Sequence, residues 1–138
     1  MGSEIFAPML AVVLLTFFVW VYMFAKRIPY LQSLDVPADQ ITGRLLDDDA
    51  PAQVSNPSNN LKNLFEMPVL FYVVCLYLFA VGQVDTTYII AAWLFAVLRV
   101  AHSIVHCTFN IVMVRFLIYL VSCIAVWFML FRAILTVL

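Results

Sequence analysis

Asn63, Glu66, Arg99, His102, His106 and Arg115 all stand inside or at the edge of stretches whose other side chains are almost entirely apolar. A charge at bilayer depth is costly, so it faces a bundle interior or a cavity, finds partners there and marks function. The spacing of these residues is ordered. Asn63 and Glu66 are three apart, Arg99, His102 and His106 follow i, i+3, i+7, and Arg115 precedes Tyr119 by four. Each set therefore shares one helix face, and three such faces can converge on one polar pocket. A guanidinium and a phenol at low dielectric, as Arg115 and Tyr119 would be, can hold a thiolate or an oxyanion and lower a thiol's pKa.

Plainer readings stand beside this one. Glu66 and Arg99 could form a buried ion pair that fixes helix register and nothing more. Arg115 could snorkel to interfacial phosphates with Tyr119 as packing. His102 and His106 have the i, i+4 spacing of a metal pair. Their stripe carries no Cys or second acid, and Arg99 would repel a cation, so no metal is expected.

The elements that position these residues follow from composition and breakers. The chain has 138 residues, 66% of them hydrophobic and 11% charged. A soluble domain is about half apolar and about a quarter charged, so this is an integral membrane protein, all-α, of a length that suits a single domain. Residues 5–25 hold no charge and end at Lys26-Arg27, which makes one transmembrane helix. Residues 26–58 carry four prolines and the run Asp47-Asp48-Asp49. They read as a solvent-exposed loop, with a short helix in 38–47. A second helix spans about 59–81, capped by Ser58 or Asn59 and stopped by Gly82-Gln83. Pro68 should kink it or loosen its first turns. A third helix spans about 85–108, with Asp85 or Thr86 as cap, and a fourth about 111–136. Short links make neighbouring helices antiparallel.

Lys26, Arg27, Arg44 and Lys62 cluster on the first loop and its edges, and the link between the second and third helices has none. The positive-inside rule puts that loop in the cytoplasm and both termini outside. Glu66 and Arg115 then lie just inside the cytoplasmic side. Arg99 lies about nine residues, roughly 14 Å, from that side, so three helices place polar residues in one leaflet half. No cleavable signal peptide is expected, because the N-terminus lacks a basic start and the first apolar run is long enough to span.

Other classes drop out. A net charge of -1 excludes a broad basic face, so nucleic acid is not an expected partner. Cys75, Cys107 and Cys123 all lie in apolar runs with no C-x-x-C pair, and read as small buried hydrophobes. Aromatics such as Phe17, Trp20, Phe71 and Phe95 read as lipid-facing or packing residues.

Three pieces of the chain resemble one family, the membrane-associated proteins in eicosanoid and glutathione metabolism (MAPEG). Asn63-Leu64-Phe65-Glu66, closely followed by Pro68, looks like its Asn-x-x-Glu and proline. Arg99-Val100-Ala101-His102 is similar to the helix-three motif of the prostaglandin E synthase branch. Arg115-Phe116-Leu117-Ile118-Tyr119 looks like the helix-four Arg-x-x-x-Tyr. The likeness covers nearly the whole chain.

The resemblance implies a four-helix bundle assembled as a homotrimer, with glutathione bound between neighbouring subunits in the cytoplasmic half. By position, Asn63 and Glu66 would hold the tripeptide's polar ends, and Arg99 and His102 its carboxylate or backbone. Arg115 would stabilise the thiolate with Tyr119 beside it. His106 stands where glutathione-using members usually have Tyr, and Lys62 is the one base just before the Asn where those members often carry arginines. The implied function is a microsomal glutathione transferase-like or peroxidase-like activity on lipophilic electrophiles that enter from the lipid. Two alternatives are a non-enzymatic lipid-binding or scaffold member of the family and a small proton-coupled transporter, though no inverted repeat is visible. A bacterial inner membrane or an endoplasmic reticulum fits either way.

Overall fold

The protein is described here by a computed structural model covering residues 2–137. Among the described residues the secondary structure is helical: α1 (Phe6–Ser33), α2 (Gly43–Asp47), α3 (Ala52–Leu64), α4 (Met67–Ala80), α5 (Thr86–Cys107) and α6 (Val112–Val137). Four segments are long and apolar enough to cross a membrane: Ser3–Ser33, Ala52–Ala80, Thr86–Cys107 and Val112–Val137. A helix satisfies every interior backbone group within itself, which is why apolar runs of this length fold so in lipid.

The second span is two helices. Pro68 has no N–H for the Leu64 carbonyl, and its ring crowds that carbonyl. The helix therefore stops at Leu64, Phe65 and Glu66 leave helical geometry, and Pro68 enters the first turn of α4. The expected loosening at Pro68 is thus a complete break.

Three boundaries differ from the sequence expectation. The first helix does not stop near residue 25: it continues through Pro29 to Ser33. Its added turns are anchored, since Arg27 donates to Asp47 (2.8 Å) and Ser58 (3.0 Å), and the Tyr30 hydroxyl donates to the Leu45 carbonyl (3.3 Å). The 26–58 loop is correspondingly shorter, and its centre holds a 3-10 turn at Ala38–Gln40 and the short α2 capped by Thr42. The second span starts at Ala52 after Pro51, with neither Ser58 nor Asn59 as its cap. Packing explains this, because Val54, Pro57, Ser58 and Asn60 bury one face of α3 against the bundle.

The far end follows the expected signals. Gly82 adopts φ +69, so Gly82 N–H reaches the Phe79 carbonyl and Gln83 N–H the Leu78 carbonyl, a Schellman closure that only an unhindered backbone accepts cheaply. Asp85 caps α5 by accepting from the Tyr88 N–H at 3.0 Å. The core joins Ile5, Val12, Phe71, Leu78, Phe95 and Met129, with the Phe71 and Phe95 rings 4.3 Å apart. Phe17, Phe18 and Trp20 are exposed on the outer wall, so the aromatics divide between core and lipid face.

Candidate functional site

The break at Phe65–Glu66 frees the Asn63 carbonyl from the i+4 bond that a continuous helix would give it. Arg99 uses that freedom: its Nη2 donates to the Asn63 carbonyl oxygen at 2.9 Å. The contact falls at the C-terminus of α3, where the helix dipole is negative and favours a cation. Arg99 is 0% exposed. Its guanidinium carbon lies 5.4 Å from the centre of the Tyr119 ring and 5.9 Å from that of Phe95. Nε and Nη1 have no partner among the described residues.

His102 and His106 continue the stripe on α5 and are both buried. The His102 Nδ1–H faces the Arg115 backbone carbonyl at 3.2 Å and donates to it, which leaves Nε2 as an acceptor. That Nε2, and Nδ1 of His106, are also buried without a partner. The two imidazoles meet edge to face at 5.6 Å, and Tyr119 lies 5.8 Å from His102. Among the described residues no three His, Cys, Asp or Glu side chains gather as a metal cage would need.

Arg115 is half-buried, and its Nη1 donates to Oδ1 of Asn110. Asn110, held at φ 46 in the link before α6, donates in turn to Oδ1 of Asn56 on α3 at 3.0 Å. A second amide, Asn60, is 0% exposed; it accepts from Ser103 Oγ (3.3 Å) and donates to Cys107 Sγ (3.5 Å). Sequence reasoning missed these residues. Asn56, Asn60 and Asn63 follow i, i+4, i+7, so one stripe would have announced them had α3 been read as helix from Ala52.

The structure thus brings Asn63, Arg99, His102, His106, Arg115 and Tyr119 together. It leaves the side chain of Lys62 outside the cluster and that of Glu66 at its exposed edge. Lys62 Nζ is tied to Asp47 Oδ2 at 2.8 Å, beside the Arg27–Asp47 bridge. The neighbouring Lys62 and Arg27 hold the Asp47 carboxyl below its ordinary range. Glu66 is exposed at the helix break. The Glu66–Arg99 ion pair weighed from sequence does not form: the bridges among the described residues are Arg27–Asp47, Arg44–Asp49, Lys62–Asp47 and Arg132–Asp85.

Two apolar grooves mark the bundle surface. One, of about 390 Å³, lies between α4 and α6 and is lined by Val73, Tyr77, Leu130 and Ile134 among others. The other, of about 330 Å³, lies between α5 and α6 around Leu94 and Ile124.

The MAPEG family model matches residues 5–135. The chain belongs to the MAPEG family. No curated protein and no solved structure matches it. As a MAPEG member it is an integral, multi-pass, all-helical membrane protein.

Proposed function

We propose that this MAPEG protein is a membrane-embedded, glutathione-dependent transferase or peroxidase acting on lipophilic electrophiles, working as a homotrimer. One observation carries the proposal: Arg99 is a wholly buried cation that makes no ion pair among the described residues and keeps Nε and Nη1 without a partner there. Buried polar groups are normally satisfied, and a buried charge without a counter-ion is strongly destabilising. An anionic ligand would supply what the chain lacks. Glutathione has two carboxylates, an ammonium and a thiol, and the cluster offers matching groups in order. Arg99 and His102 would receive a carboxylate, Asn63 and the exposed Glu66 the peptide's other polar end, with His106 at its edge and Lys62 joining only once it leaves Asp47. Arg115 and Tyr119 would hold the thiolate.

In the transferase step the thiolate sulfur attacks an electrophilic carbon, and the displaced group leaves with the electron pair. Holding both reactants in register supplies much of the rate. The electrophile would come from the lipid along an apolar groove. A bacterial inner membrane or the endoplasmic reticulum provides that setting.

Turnover of chloro-dinitrobenzene by the purified protein in detergent tests the reading, with Arg115→Ala as the variant. The expected result is glutathione-dependent conjugation and its loss in the variant, on the order of a hundredfold for removal of an oxyanion-type donor. Absence of turnover, together with unchanged glutathione binding in Arg115→Ala, would overturn it.

The capture of Lys62 by Asp47, which removes the one base just before Asn63, favours a second reading, a non-enzymatic lipid-binding or scaffold member. Calorimetric titration with glutathione separates the two, since measurable binding supports the enzyme.

A further inference from the structure

Arg115 is held at both ends. Its backbone carbonyl accepts from His102 Nδ1 on α5 at 3.2 Å. Its Nη1 donates to Oδ1 of Asn110, and Asn110 Nδ2 donates to Oδ1 of Asn56 on α3 at 3.0 Å. Asn110 is itself fixed by the backbone. After α5 ends at Cys107, the Asn110 N–H reaches the Val105 carbonyl at 2.7 Å, and the residue takes φ 46, which Asn tolerates better than most side chains. We propose that Asn110 and Asn56 are positioning residues, a neutral amide relay that fixes the direction of the Arg115 guanidinium and leaves its charge for an anionic sulfur. The identity of that anion rests on the glutathione reading above, whereas the relay does not.

Charge is the first observation behind this. Arg27, Arg44 and Arg132 each meet an aspartate, whereas Arg115 makes no ion pair among the described residues. The Asn110 amide oxygen orients the guanidinium without cancelling it, as a carboxylate would. The second observation is what stays open. A guanidinium has five N–H donors. Nε and Nη2 of Arg115 have no hydrogen-bond partner among the described residues and, unlike Nε and Nη1 of Arg99, are not enclosed. A donor whose direction is set beforehand costs no reorganisation when negative charge develops in front of it.

An amide is also the group the relay requires. Asn110 accepts from one neighbour and donates to the other, while an ionised aspartate only accepts. The titratable and charged groups around this site are His102, His106 and Arg99 on α5, Tyr119 on α6 and Glu66 at the helix break. All of them are kept in the variants below, so their titration is common to every comparison.

The test uses the full chain in detergent with Asn110→Asp, Asn110→Gly and Asn56→Ala. Aspartate keeps the shape and tolerates the same backbone, and the Asn56 amide turns to donate to it, so the fold is preserved. Glycine keeps the backbone and deletes the relay. With glutathione bound, ultraviolet absorbance of the thiolate across pH gives the bound thiol's pKa. Asn110→Asp should raise it by about one unit, because a nearby cation lowers a thiol and pairing that cation removes the effect. Conjugation of chloro-dinitrobenzene should slow severalfold. Asn110→Gly and Asn56→Ala should shift the thiol the same way but less, since the charge stays and only its direction wanders. Melting midpoints should run in the opposite order, with Asn110→Asp unchanged or raised. A relay that only held the fold would make Asn110→Asp the harmless variant in every readout.

A second arm needs no glutathione. Phenylglyoxal with mass mapping of the arginines should label Arg115 severalfold faster than Arg132, which a carboxylate holds, and Asn110→Asp should bring Arg115 down to the Arg132 rate. That order in a wild type that binds no thiolate supports the relay and counts against glutathione. A wild-type thiolate that none of the three variants moves overturns the relay and leaves the glutathione reading standing. Arg115 labelling as slow as that of Arg132, or indifferent to Asn110→Asp, also overturns the relay.

Discussion

At the end of the bundle away from Arg99, Arg132 of α6 clamps the α4–α5 link. Its two terminal nitrogens each meet one oxygen of Asp85, and its guanidinium stacks 4.3 Å from the centre of the Tyr88 ring. Asp85 also caps α5, and Thr136 reaches Gln83 at 2.8 Å. Arg99 has the same side chain and the opposite circumstances. It is deeper, has one carbonyl and two rings for company, and keeps two donors idle. The clamp satisfies every demand its cation makes, at a half-exposed site where water shares the load. The interior site leaves two donors without a protein partner among the described residues. An arginine that only held helices together would look like Arg132. Arg99 does not: its Nε and Nη1 have no partner among the described residues.

Arg99→Met should break this contrast most sharply. Replacing an unpaired buried charge by an apolar side chain of similar length should stabilise the protein by about 1–4 kcal/mol, read as a higher midpoint in a thermal melt in detergent. The same substitution at Arg132 should lower the midpoint. If Arg99→Met destabilises as much as Arg132→Met does, Arg99 is a structural residue and the contrast fails.

Asn60→Ala comes next. It strands Ser103 Oγ in a buried site and removes the donor to Cys107. A loss of about 1–3 kcal/mol is expected, visible as a lower melting midpoint and faster amide exchange in α3. No change would mean that the amide stripe does not tie α3 to α5.

Acid titration sharpens the comparison from the clamp side. Arg132 and the Tyr88 N–H hold the Asp85 carboxyl down from 3.8 to about 2. A depressed carboxyl contributes stability that is fully present above its unfolded value, and it is lost as pH falls through about 2. Melts from pH 4 to 2 should therefore show a decline that Asp85→Asn removes. The decline should be small because the pair is half-exposed.

Asp47→Asn should have the smallest effect on stability. It releases Lys62 and Arg27, so glutathione titration should show tighter binding if Lys62 then serves the site. Unchanged affinity would place Lys62 outside it.

Much of this was legible before any coordinates. The apolar runs 5–25, 59–81, 85–108 and 111–136 announced four spans, and Gly82 and Asp85 announced where the second link turns. The stripes on α5 and α6 announced which polar residues meet, because helical spacing is local and survives any tertiary arrangement. Other features were hidden for a physical reason. The turns at Ala52 to Ser58 have weak helical character and contain Pro57, with Pro51 just before them, and burial against the bundle holds them helical. Reading them as loop concealed Asn56, and with it the amide stripe that continues through Asn60 to Asn63. Lys62 looked free because Asp47, fifteen residues earlier, is brought back by a loop whose course no local pattern encodes.

Composition and periodicity alone determined that this chain lives in a membrane, how often it crosses, and which helix faces carry charge. Tertiary structure alone decided which of those charges are answered. It gave Asp85 to Arg132 and Asp47 to Lys62, and it left Arg99 enclosed beside the Tyr119 and Phe95 rings with no ion pair among the described residues. Spacing along one helix places a side chain on a face, whereas pairing depends on distances between helices, and those are set only when the bundle packs.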